Sequence, residues 1–122
     1  MTKFVSVLGV ASLLVLGLTG AAWAHAHLTS AVPATGGTVS VAPTELDLTF
    51  SEGVNLKFTG VKVTGPGNAE VHVGDAMLMD GDTTLMVPIS GTLVAGAYSV
   101  AWHALSTDGH KTTGTYTFTV KP

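Results

Sequence analysis

Side chains able to hold a cation occur at two places far apart in this sequence. The first is His25-Ala26-His27, two imidazoles in alternate positions. The second is Asp108-Gly109-His110, a carboxylate and an imidazole with the same spacing. Residues two apart in extended chain project to one side, so each pair can offer two donor atoms to a common point. Asp-Gly is also an ordinary turn dipeptide, and two exposed His opening a strand are unremarkable in a secreted domain, so each pair draws weight from the other. There is no Cys, which excludes thiolate ligation and leaves nitrogen, oxygen and thioether donors. The thioethers beyond Met1 are Met77, Met79 and Met86, soft ligands of the kind that select Cu(I). Met also fills irregular gaps in small cores. Core filling is the expectation for Met86, within Thr84-Leu85-Met86-Val87-Pro88, and extends to Met77 and Met79, which alternate onto one face. His72, between Val71 and Val73, reads as a solvent-facing strand residue, and Glu52 as part of a turn.

What precedes His25 changes its chemistry. Lys3 is followed by an apolar run from Phe4 to Leu18, interrupted only by Ser6, Gly9, Ser12 and Gly17, and then by Thr19-Gly20-Ala21-Ala22-Trp23-Ala24. This is the layout of a secretory signal peptide over residues 1–24, with Ala22 and Ala24 as the small residues at the cleavage site. The run is shorter than the roughly 20 apolar residues that span a bilayer. Cleavage after Ala24 makes His25 the first residue, with an α-amino group and an imidazole that can chelate together. Taking 24 residues from 122 leaves 98 (residues 25–122), which is one small domain. These carry four Lys, no Arg and eight acids, a net charge of about −4. Nucleic-acid binding, which needs a basic face, is disfavoured. Without Cys, an exported chain of this size must rely on core packing rather than disulfides. No second apolar run follows Leu18, so the mature chain is expected to be soluble, with no membrane insertion.

The elements that must position these donors are strands. Turn residues recur at Pro33, Gly36-Gly37, Pro43, Gly53, Gly60, Gly65-Pro66-Gly67, Gly74, Gly81, Pro88, Gly91 and Gly96, a spacing that predicts many short strands. Period-two alternation places Leu46, Leu48 and Phe50 on one face, and does the same for Val61 with Val63, for Tyr98, Val100, Trp102 and Ala104, and for Tyr116, Phe118 and Val120. No stretch has a sustained helical period. The expected fold is all-β, a Greek-key β-barrel or immunoglobulin-like β-sandwich of about seven antiparallel strands. By alternation His25 and His27 point away from Leu28 together, and His103 points outward beside an inward Trp102. His110 shares the parity of Tyr116, Phe118 and Val120, so an unbroken strand turns it inward. A bulge at Gly114 or at the Gly109 turn is expected to reset it.

The His25 opening, Ser30 with Pro33 and Gly36, Leu48-Thr49-Phe50-Ser51-Glu52, Gly96-Ala97-Tyr98 leading to Trp102, and Asp108-Gly109-His110 leading to Gly114 and Phe118 together resemble the CopC family of periplasmic copper-resistance proteins. The resemblance covers essentially all of residues 25–122. It implies a Cu(II) site, one ion per chain, made from the terminal nitrogen, His25, Asp108 and His110. His27, at a position that is His in only some members, stands as a further ligand or a neighbour of the ligands. It also implies a soluble periplasmic copper carrier or sequestering protein for copper resistance and homeostasis, without catalysis, expected as a monomer, with an inner-membrane copper-transport protein as the candidate partner. The family's Cu(I) segment, Met-x-x-Met-x-His-x-x-Met, is absent. Met77-Leu78-Met79 falls in roughly the same region with a different spacing, so Cu(I) is not expected to be held.

Donor chemistry agrees with that implication. Nitrogen donors with one carboxylate and no thiolate suit tetragonal Cu(II), with Zn(II) as the tetrahedral competitor. Amines and imidazoles must shed protons to bind, ordinarily between about pH 6.5 and 8, so acidification is expected to release the ion. Two other readings remain from the sequence. One is a small copper-dependent oxygenase with an amino-terminal His chelate, which needs an extended substrate face and an open axial position. The other is a metal-free immunoglobulin-like interaction domain.

Overall fold

Alternating apolar residues decide which face each strand buries, and in the computed structural model they close two sheets against one another. The structure describes residues 25–122; the signal-peptide reading of residues 1–24 lies outside the described residues. The strands are β1 (Leu28–Val32), β2 (Thr38–Val39), β3 (Glu45–Phe50), β4 (Gly60–Thr64), β5 (Glu70–Val71), β6 (Met77–Met79), β7 (Thr84–Pro88), β8 (Gly96–Leu105) and β9 (Lys111–Val120). The described residues contain no α-helix, only single 3-10 turns at Leu56–Phe58 and Pro66–Asn68. One sheet has the order β1-β3-β7-β6 and the other β2-β9-β8-β4-β5. The fold is therefore the two-sheet sandwich, without the closure of a barrel. The strands beyond the expected seven are the two-residue β2 and β5. All pairings are antiparallel except β2 with β9, which is parallel.

The core lies between the sheets. Leu46, Leu48, Phe50, Leu85 and Val87 face Val63, Tyr98, Val100, Trp102, Ala104, Tyr116, Phe118 and Val120, all buried. Phe50 meets Trp102 edge-on at 5.3 Å across the sheets, and Tyr98 stacks on Phe118 at 5.3 Å within one sheet. Such aromatic pairs add about 0.5–1.5 kcal/mol beyond the area they bury.

The bulge expected near His110 is absent. The β8–β9 ladder runs unbroken from Gly96 opposite Val120 to Leu105 opposite Lys111, with Gly114 directly opposite Trp102. Gly114 has a different reason to be glycine: a Cβ there would lie 2.5 Å from Trp102 Cζ2 and 2.6 Å from Cε2, so the indole lies flat on its backbone. The register shift is in β1 instead, between Leu28 and Ser30. It converts the phase that buries Ala26 and half-buries Leu28 into one that buries Ala31.

Core filling by the methionines is also corrected. Leu85 and Val87 take the inward positions of β7, so Met86 faces outward, half-buried. Leu78 is the inward residue of β6, leaving Met77 49% and Met79 37% exposed.

Candidate metal site

Asp108 and His110 sit in the loop between β8 and β9, which Ser106 holds closed. Ser106 is 1% exposed. Its N–H donates to His110 O at 2.9 Å, and Gly109 N–H donates back to Ser106 O at 2.9 Å. Its hydroxyl donates to Asp108 Oδ1, and its oxygen accepts the His110 N–H at 3.2 Å. Gly109, at φ +95°, makes the turn in a region that residues with a Cβ avoid. The loop is tied back to the body where Val54 bridges Ser106 and Thr107 N–H donates to Gly53 O at 3.0 Å.

Within this frame His110 Nδ1 lies 3.1 Å from Asp108 Oδ1, with the two side chains 50% and 42% exposed, open enough for an ion to enter from solvent. The hydrogen bonds from Ser106 and then His110 hold the Asp108 carboxyl below the usual carboxylate range, since both stabilise its ionised form.

His25 arrives from the other sheet. Ala26, fully buried, anchors the segment before β1, its carbonyl accepting the Thr112 hydroxyl at 2.7 Å. The next residue is clasped by Ser51: His27 N–H donates to Ser51 Oγ at 3.0 Å and Ser51 N–H donates to His27 O at 2.8 Å. The His25 ring then meets the His110 ring edge-on, centroids 4.3 Å apart and planes at 86°. Thr112 explains why no register reset is required. Its side chain reaches across to the opposite sheet, and His110, two residues nearer the rim, keeps the same parity. At the mouth of the sandwich, inward is the direction of His25.

The structure thus brings together three of the four residues singled out from the sequence, His25 with His110 and His110 with Asp108. His27 is exposed and joins by its main chain. Among the described residues no three His, Asp or Glu side chains are already gathered at metal-holding spacing, so the trio is adjacent rather than converged. His72 and His103 are exposed, as their alternation predicts, on other parts of the surface. Sequence reasoning missed Ser51, Ser106 and Thr112, which position the site. Ser106 had a signal, as a small hydroxyl residue two before an Asp-Gly turn; Thr112 had none, because its partner is 86 positions away.

The fold is a two-sheet β-sandwich whose rim brings the His25 imidazole to the Asp108–His110 loop, and comparison with known proteins gives the family. The CopC domain model matches residues 28–121. The chain is 47% identical over 105 residues to Protein YobA of Escherichia coli K12, covering 85% of each. It is 40% identical over 115 residues to Copper resistance protein C of Escherichia coli, covering 88% of this chain and 90% of that one. Its fold matches the crystal structure of PcoC, a methionine-rich copper resistance protein from Escherichia coli, with TM-score 0.73 and 37% identity over 80% of this chain and all of that one. The chain belongs to the CopC family.

Proposed function

We propose that the protein binds one Cu(II) through the α-amino group and imidazole of His25 together with Asp108 and His110, with His27 beside them, and carries or sequesters that ion in the periplasm for copper resistance and homeostasis. The observation that carries this reading is the 4.3 Å approach of His25 to His110, itself hydrogen-bonded to Asp108. Two segments distant in sequence have been brought to one rim by bonds from Ser51, Ser106 and Thr112. Relatives described as copper resistance proteins support copper as the cargo. Export with cleavage after Ala24 frees the amine. The protein acts as a monomer without catalysis and passes the ion to an inner-membrane copper-transport protein. No helix among the described residues is long and apolar enough to cross a membrane.

The test compares protein beginning at His25 with protein carrying one extra residue before it. The first is expected to bind one Cu(II) with the absorption and spin-resonance spectrum of a nitrogen-rich tetragonal site. The second, whose amine has become an amide, is expected to bind at least about tenfold more weakly. Equal binding by both defeats the terminal chelate.

A further inference from the structure

The charges of residues 25–122 are sorted between the two sheets. Six of the eight side-chain carboxylates, Glu45, Asp47, Glu52, Asp75, Asp80 and Asp82, lie in β3 or in the segments flanking β3 and β6, all on the four-stranded side. All four Lys lie on the other side: Lys62 in β4, Lys111 in β9, Lys121 just after it, and Lys57 in the 3-10 turn that leads into β4. The outward residues of β4, β8 and β9 run across that sheet in rows, Gly60 with His103 and Thr113, then Lys62 with Ala101 and Thr115. Neither row holds a carboxylate. The Glu70 of this sheet stands on the far edge strand, opposite Thr64. Where the face reaches the rim it is concave: Lys57, Phe58, His103, Lys111 and Thr113 line a cavity of about 310 Å³. Phe58 is 51% exposed, with the Lys57 ammonium 5.8 Å from its ring centroid. The imidazole of His103 lies over Gly60, where a Cβ would come within 3.2 Å of its Cε1. An apolar ring between two ammonium groups suits a ligand that is part apolar and part anionic.

The main chain of β9 gives a second observation. Thr117 O accepts the Gly36 N–H and Thr119 N–H donates to Gly37 O, so the odd-numbered residues of this strand turn their backbone groups away from β8. The ladder has no bulge, so Lys111, Thr113 and Thr115 share that phase. Among the described residues no strand pairs with them, since β2 reaches β9 only at Thr119 and Val120. Such an edge accepts an added strand, in which main-chain bonds give affinity and side-chain pockets give selectivity. Lys111 and Thr113 belong to both the edge and the cavity. We propose that the free edge of β9 from Lys111 to Thr115, with the cavity beside it, docks an extended acidic segment of a protein partner. The segment pairs with Thr113 and Thr115, sets its carboxylates against Lys57 and Lys111, and places an apolar side chain on Phe58. A concave site beside an open strand edge fits a peptide better than the flat surface of a membrane. A second copy of this chain fits less well, because its own β9 brings Lys111 and no carboxylate. The site adjoins the loop of Asp108 and His110, so a partner seated there stands beside the rim. That consequence rests on the proposed metal site, whereas the docking does not.

The test follows the metal-free protein by NMR during titration with a synthetic peptide of alternating Glu and Val, and separately with one of alternating Lys and Val. The amide resonances of Lys111, Thr113 and Thr115 and the ring resonances of Phe58 are expected to move with the first peptide and to stay in place with the second. Amide exchange at Thr113 and Thr115 is expected to slow on binding. Lys57→Glu with Lys111→Glu, both on the surface, is expected to weaken binding at least about tenfold. Thr113→Pro, which removes an outward N–H that the β8 ladder does not use, is expected to weaken it several-fold. No shift with the Glu peptide, equal shifts with both peptides, or undiminished binding by the charge-reversed variant overturns the proposal. Shifts with phosphatidylglycerol vesicles and not with the peptide assign the face to a membrane, and shifts that grow with protein concentration alone assign it to a second copy; either outcome also overturns it. Cu(II) binding by the unsubstituted protein is measured separately, so its failure defeats the metal site and leaves the docking result standing.

Discussion

The two arms that meet at the rim are held in contrasting ways. Asp108 and His110 cap two ten-residue strands paired without interruption, in a loop closed by the buried Ser106. His25 hangs at the end of an edge strand that carries the register shift, fixed by main-chain bonds to Ser51 and Thr112. The loop arm is preset by the same ladder that builds the core. The amino-terminal arm is fastened at a few points, so its geometry can be altered with little cost to the fold. Stability and ion affinity should therefore separate on one arm and move together on the other.

The largest expected effect is on the ladder arm. Trp102→Ala empties the position between Phe50 and Gly114 and is expected to cost about 3–5 kcal/mol. Gly114→Ala, which drives a Cβ into the indole, is expected to cost about 1–3 kcal/mol. Thermal unfolding reads both, and an unchanged midpoint for Gly114→Ala would break the picture of the indole lying on backbone. Next comes Ser106→Ala, which leaves the His110 N–H and Asp108 without their shared partner. A loss of about 1–3 kcal/mol, accompanied by weaker Cu(II) binding in calorimetric titration, would sharpen the claim that loop and fold are one unit.

On the other arm, Thr112→Val removes only the hydroxyl that holds Ala26 O. Stability is expected to fall by about 1 kcal/mol, while Cu(II) affinity falls several-fold because His25 loses its tether. A stability loss as large as that of Ser106→Ala, or an unchanged Cu(II) affinity, would make the contrast between the arms wrong.

The smallest effect concerns pH. Burial, and then the charge of Asp47, push the Tyr116 phenol up to about 12. Its neutral form is favoured in the folded state, so this contribution is intact below about pH 10, the unfolded value, and is lost as pH rises through about 12. Tyr116→Phe should flatten the stability profile across that window, and a profile unchanged by the substitution would remove the phenol from the account.

Alternation made most of the sandwich legible, since Leu46, Leu48 and Phe50 and the inward residues of β8 and β9 all lie where period two puts them. It misled where a local rule met a tertiary fact. Glycine at 114 signals irregular backbone in sequence, but what it provides is room for a ring twelve residues earlier. His110 seemed to face the wrong way because parity says inward without saying that the strand has reached the mouth of the sandwich. Core filling is the expectation for methionine because it fits irregular gaps, although Leu78, Leu85 and Val87 hold the inward positions of their strands. The partnership of His25 with His110 depends on pairing between residues 86 apart, and no local pattern encodes that.

The short outer strands have a consequence for how copies of this chain meet one another. The sheets end on β1, β6, β2 and β5, of five, three, two and two residues; of the two ten-residue strands, β8 lies between β9 and β4, while β2 covers β9 only at Thr119 and Val120. An unpaired edge invites another chain to add a strand, and proteins discourage this by keeping edges short or irregular. Here the five-residue edge is the irregular one. β8 is enclosed between β9 and β4, so the stretch of long strand left to accept another chain is the outer side of β9 before Thr117.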